Sequence, residues 1–122
     1  MKFAKRVFFV AGIYGVLALV PQYFLEGYTG RVTPPPITHP EFFYGFIGVA
    51  LAWQFLFFLI ARDPVRFRAA MGPAIFEKLS FAIAAFVLVA QGRLEGPLVL
   101  AAGIDLTWSI LFFLAWRATP RN

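Results

Sequence analysis

The chain has no cysteine, which excludes disulfides, thiolate metal sites and thiol redox chemistry, and with them the quinone-linked disulfide enzymes. Its one histidine, His39, rules out two-histidine haem ligation within a single chain. Charge is scarce too: 14% of the 122 residues are charged against 61% hydrophobic, so little is left over for a soluble domain. Also missing are a recognisable nucleophile motif, a phosphate-binding glycine loop and a metal-ligand pattern.

What the chain does have is four apolar runs, over residues 7–25, 42–61, 71–91 and 97–116, each close to the ~20 residues that cross a ~30 Å hydrocarbon core. They are continuously apolar rather than alternating, and in lipid every backbone polar group must be paired within its own segment. Helices are therefore expected in place of barrel strands. The fold expected is an all-α integral membrane protein, a single domain over residues 1–122, built as a four-helix antiparallel transmembrane bundle.

The net charge of +5 is arranged beside the runs rather than on one soluble face. Lys2, Lys5 and Arg6 precede the first run, Arg62, Arg66 and Arg68 follow the second, and Arg117 and Arg121 follow the fourth. The other two loops hold Arg31 and Arg93, each with an acid nearby. Under the positive-inside rule this puts both termini and the 61–71 loop in the cytoplasm, in a cytoplasmic-type inner membrane. Basicity here reads as topology, and nucleic acid is not an expected partner. The start, MKFAKRVFFV, has the basic and apolar regions of a signal peptide, but Ala18, Leu19 and Val20 form no small-x-small cleavage site. It is read as an uncleaved first helix.

Between the first two runs, Pro34-Pro35-Pro36 favours a stiff, extended, hydrated segment. His39-Pro40-Glu41 then reads as a helix start: Thr38 or His39 caps, Pro40 suits the first turn, and Glu41 complements the helix dipole. His39, Glu26 and Glu41 are too scattered to be preferred as a metal site, so neither metal nor cofactor is expected. Pro64 and Pro73 punctuate the second loop, and QGRLEGP is a tight turn that makes the last two runs an antiparallel hairpin. A faint repeat links WQFLFFLIAR (53–62) with WSILFFLAWR (108–117), compatible with two parallel helical hairpins.

Ionisable groups inside membrane helices each cost roughly 2.5–3.5 kcal/mol at the helix centre, so they call for an explanation. Three occur: Glu77, Lys78 and Asp105. At ~1.5 Å per residue, Tyr14, Gln54, Glu77 and Lys78 lie about 12–15 Å, and Asp105 about 18 Å, from the flanking arginines. All four helices thus offer a polar group at similar depth. Glu77 shares a stripe with Ala70, Ala74, Ser80 and Ala84 and is expected to point inward, whereas Lys78 either pairs with Asp105 or snorkels to the headgroups. If Gln54 faces the interior, a small-residue stripe, Gly45, Gly48 and Ala52, looks outward, where it either packs against a second copy or a partner membrane protein or simply faces lipid. The phenylalanines are read as lipid-facing bulk, and Trp116, Tyr23, Tyr28 and Tyr44 as interfacial anchors.

Three functional classes fit. The first is a site that binds or moves a proton or a small apolar or cationic ligand, built on Glu77, Lys78, Asp105, Gln54 and Tyr14. An accessory or assembly subunit of a membrane complex is the alternative, with the polar cluster as scaffold. The third is an enzyme acting on a lipid-like substrate, with Glu77 and Asp105 as acid and base; the missing motifs place it last, and no catalytic residue is assigned.

Overall fold

The computed structural model describes residues 2–121. Among them lie five α-helices: α1 (Lys2–Leu19), α2 (Glu26–Val32), α3 (Pro40–Arg62), α4 (Arg68–Ala90) and α5 (Pro97–Ala118), with a 3-10 helix over Val20–Phe24 continuing α1. Four stretches, Lys2–Phe24, Pro40–Arg62, Arg68–Ala90 and Pro97–Ala118, are long and apolar enough to cross a membrane.

Local chemistry explains most of the boundaries. Pro21 lies in the first turn of the 3-10 helix, where the α-helix has ended at Leu19. At α3 the expected start holds: His39 is the N-cap residue, Pro40 opens the helix and Glu41 is in its first turn. The His39 side chain makes no capping hydrogen bond; its Nδ1 lies 3.7 Å from Glu41 Oε1. Helix α4 starts at Arg68 and runs through Pro73, which the sequence reading took as loop punctuation. Pro73 falls early in the helix with its side chain exposed, so the lost amide leaves only the Ala69 carbonyl without its usual partner. The α4–α5 turn needs its glycines: Gly92 (φ 70) ends α4, with Arg93 N–H donating to Leu88 O at 2.8 Å, and Gly96 (φ 85) precedes Pro97.

The loop before α3 is the exposed segment expected only over Pro34-Pro35-Pro36, which lie outside any helix; what precedes them is helical. Residues 26–32 form α2, and the Pro36 backbone folds back onto the buried Gly30 so closely that a Cβ there would have no room. Tyr44 Oη donates to Glu26 Oε1 at 3.0 Å, tying α2 to α3.

Helix α1 packs along α3, and α4 along α5, while α1 also meets α5; α3 and α4 touch far less. The directions follow from the pairs in contact. Phe8 meets Phe57 and Tyr23 meets Tyr44, so α1 and α3 run antiparallel. Arg68 meets Thr119 and Lys78 meets Asp105, so α4 and α5 do too. Small residues permit these approaches, with Gly12 and Gly15 of α1 beneath α3 side chains, and Ala74, Ala82, Ala102 and Ala115 buried on α4 and α5.

The buried core is concentrated at the end of the molecule where the two chain termini lie, and phenylalanine forms it. Phe8, Phe57 and Phe112 are fully buried, with ring centroids 4.3 Å apart for the stacked Phe8–Phe112 pair and 5.0 Å for the edge-on Phe57–Phe112 pair. These three phenylalanines are therefore not the lipid-facing bulk expected of them but the centre of the packing. Phe57 and Phe112 occupy matching places in the two similar decapeptides, each following its tryptophan by four residues. The Trp53–Phe57 and Trp108–Phe112 pairs have near-equal geometry, 6.4 Å at 44° and 6.1 Å at 42°.

Candidate functional site

Helices α3 and α4 make few contacts with each other, and above the phenylalanine layer a cavity of about 790 Å³ opens between α1, α3, α4 and α5. It extends from the polar residues at mid-helix to Glu41 at the start of α3 and Leu98 at the start of α5. Tyr14, Gln54, Glu77, Lys78 and Asp105 all line it. The four helices thus bring to one space the groups that their depth along the chain had set at one level.

Lys78 is the most enclosed of the charged groups. Its side chain is 7% exposed, with Nζ 3.9 Å from Asp105 Oδ1 and 5.4 Å from the centre of the Phe57 ring. The ammonium therefore sits between a carboxylate and an aromatic face, and the inward of its two expected courses is the one taken. At 3.9 Å the ion pair lacks a direct hydrogen bond, which leaves Asp105 able to accept one from another donor.

The buried face of α4 is that of Met71, Ala74, Lys78, Ala82 and Ala85. Glu77, expected to point inward, lies beside that face, half-buried on the cavity wall, and its stripe mates Ser80 and Ala84 are exposed. No hydrogen bond joins the Glu77 carboxylate to Tyr14 or Gln54 among the described residues; the Tyr14 ring instead leans on Trp108, with centroids 6.1 Å apart.

Gln54 presents the sharpest feature. It is 1% exposed, its Nε2 donates to Ala50 O at 2.8 Å, and its Oε1 is buried without a partner. Room for this side chain exists because residue 15 is glycine: a Cβ at Gly15 would overlap the Gln54 amide. A buried amide oxygen left unpaired costs roughly 1–3 kcal/mol unless something donates to it. Gln54 as a residue lines the cavity, while its Oε1 is turned toward Gly15 of α1 and away from the open space.

The stripe of Gly45, Gly48 and Ala52 is divided among three surroundings. Gly45 lines the cavity, Gly48 lies beside the Tyr23 hydroxyl, and Ala52 is exposed. Aromatic residues that the sequence reading did not connect with the site, Trp53, Phe46 and Phe81, complete its walls. The repeat containing Trp53 was the available signal. No group of three potential metal ligands gathers among the described residues. The acids lining the cavity, Glu41, Glu77 and Asp105, outnumber its single base, Lys78. Comparison with family models, curated proteins and solved structures finds no match to this chain.

Proposed function

We propose that this protein is a four-helix antiparallel transmembrane bundle of a cytoplasmic-type inner membrane, with both termini inside, that binds or moves a small amphiphilic molecule through its cavity. The observation that carries this reading is the interhelical cavity itself, with Glu77, Lys78 and Asp105 of two helices on its wall. A proton path alone needs no such room, whereas about 790 Å³ falls within the roughly 300–1,000 Å³ of small-molecule sites. Ionisable side chains at membrane depth mark substrate or ion routes by default.

The lining sets the chemistry of the ligand. A positive charge answers the excess of acids, and an apolar body answers Trp53, Phe46 and Phe81. A primary alkylammonium meets both requirements. Orientation follows from the distribution of Lys and Arg, and it opens the cavity toward the external face while the phenylalanine layer closes the cytoplasmic end.

The test is binding of octylammonium to the protein in nanodiscs, read by Trp53 fluorescence in Trp108→Phe/Trp116→Phe protein and by equilibrium dialysis, with octanol and octanoate as neutral and anionic comparisons. Saturable octylammonium binding is expected, weakened at least tenfold by Glu77→Gln or Asp105→Asn while helicity and monodispersity persist. Equal partitioning of all three probes, unaffected by substitution, would leave the polar cluster as scaffold.

A further inference from the structure

A second recess lies on the outer surface of α1 and α3, at the end of the molecule opposite the mouth of the cavity. Lys5, Arg6, Phe9, Phe58, Ala61 and Arg62 line about 470 Å³ there. Its floor is built deliberately low: a Cβ at Gly12 would collide with the Phe58 ring, so glycine at this position lets Phe58 lie across α1, 5.8 Å from Phe9 between ring centroids. Phe9 remains half exposed, presenting an apolar trough parallel to the helices.

Three cations rim that trough, and no acid lines it. None of the three is in an ion pair among the described residues. Two other bases at this end are engaged: Arg68 donates to Thr119 O and lies over Trp116, and Arg66 lies over Phe67. The nearest acid in sequence, Asp63, is turned to accept from the Arg66 amide. Like charges clustered without a counter-ion repel one another, so an anion held among them lowers the energy of the fold.

We propose that this recess is a binding site for one anionic phospholipid, whose phosphate sits among Lys5, Arg6 and Arg62 and whose acyl chain lies along Phe9 and Phe58. The proposal rests on the helices spanning a membrane, and not on what the internal cavity binds. Charge complementarity selects the headgroup, and the apolar trough beneath it selects a chain-bearing ligand over a free phosphate. The recess falls at the level where the first run begins and the second ends, which is headgroup depth.

Native mass spectrometry of the full chain released from nanodiscs of phosphatidylcholine doped with phosphatidylglycerol tests this. Wild type is expected to retain one phosphatidylglycerol in preference to phosphatidylcholine. Each of Lys5→Gln, Arg6→Gln and Arg62→Gln should lower that preference about fivefold, from the ~1 kcal/mol that one cation contributes near an anionic surface. Arg117→Gln/Arg121→Gln, which removes charge at the same end but outside the recess, should leave it intact. Glycerol phosphate, which has no acyl chain, should fail to displace the lipid. An equal loss in the Arg117/Arg121 variant would show bulk surface charge and overturn the site. Displacement by glycerol phosphate would overturn the role of the trough. A preference unchanged in the triple Lys5/Arg6/Arg62 variant would overturn the proposal outright, and circular dichroism of each variant separates these outcomes from misfolding.

Discussion

Gln54 and Gly15 form a unit, since the amide occupies space that only a residue without a Cβ leaves open. Gly15→Ala is expected to expel the amide and destabilise the protein by on the order of 2 kcal/mol, the usual cost of overpacking. Gly15→Ala in a Gln54→Ala background should cost far less, a coupling of roughly 0.5–3 kcal/mol in a double-mutant cycle followed by thermal denaturation in detergent. Additive costs would show that the two do not compete for space. The Lys78–Asp105 pair makes an opposite kind of prediction. Lys78→Met strands the carboxylate and should cost on the order of 3 kcal/mol, whereas Lys78→Met/Asp105→Leu should recover most of that stability. The double variant should nevertheless lose octylammonium binding, which separates site from scaffold. Depth along the helices was legible in the sequence, because a fixed rise per residue turns spacing into level. Rotation was not: α4 is apolar almost all the way round, so its pattern has no phase to tell the face of Lys78 from that of Glu77.

At the scale of elements, the phenylalanine layer holds α1, α3 and α5 together by shape. Lipid shields an exposed ring from water as well as the core does, so Phe112→Ala forfeits only packing. With ~24 cal/mol per Å³ and a void of about 100 Å³, the expected loss is on the order of 2 kcal/mol. Phe113→Ala, on the more exposed neighbouring position, should cost little, and equal losses would contradict the layer. The same equivalence of lipid and core hid this layer from the sequence, where sixteen phenylalanines look alike. The four long helices and their approximate extent were legible, since continuous apolar length decides both; the short α2 was not. One end shifted where a single residue acts, at Pro73 inside α4. A further contact joins α4 to the end of α5: Arg68 Nε donates to Thr119 O at 2.9 Å while its guanidinium covers Trp116 at 4.6 Å. Lysine lacks the planar fork that serves both partners, so Arg68→Lys should speed hydrogen exchange at the end of α5 nearly as much as Arg68→Ala. Full protection in the lysine variant would show that charge alone suffices.

The molecule as a whole has two storeys. Near the termini its helices close on the phenylalanine layer, and beyond mid-helix they part around the cavity, with Lys78 at the boundary touching both Phe57 and Asp105. The asymmetry has a source in the chain. Phe8 of α1 stacks on α5, while at the facing seam α4 offers α3 a lysine rather than a ring, and the seam stays open. The open α3–α4 seam gives a ligand a way to the polar cluster. The absence of cysteine makes it directly measurable, because a single introduced thiol is the only one present. Ala101→Cys places that thiol on the cavity wall, and Ala82→Cys, fully buried on α4, serves as the control. Labelling of Ala101→Cys by a membrane-impermeant cationic methanethiosulfonate from the external side, slowed by octylammonium and absent for Ala82→Cys, is the predicted result. Labelling from the cytoplasmic side, or none from either, would contradict a cavity that opens outward to hold a cationic ligand.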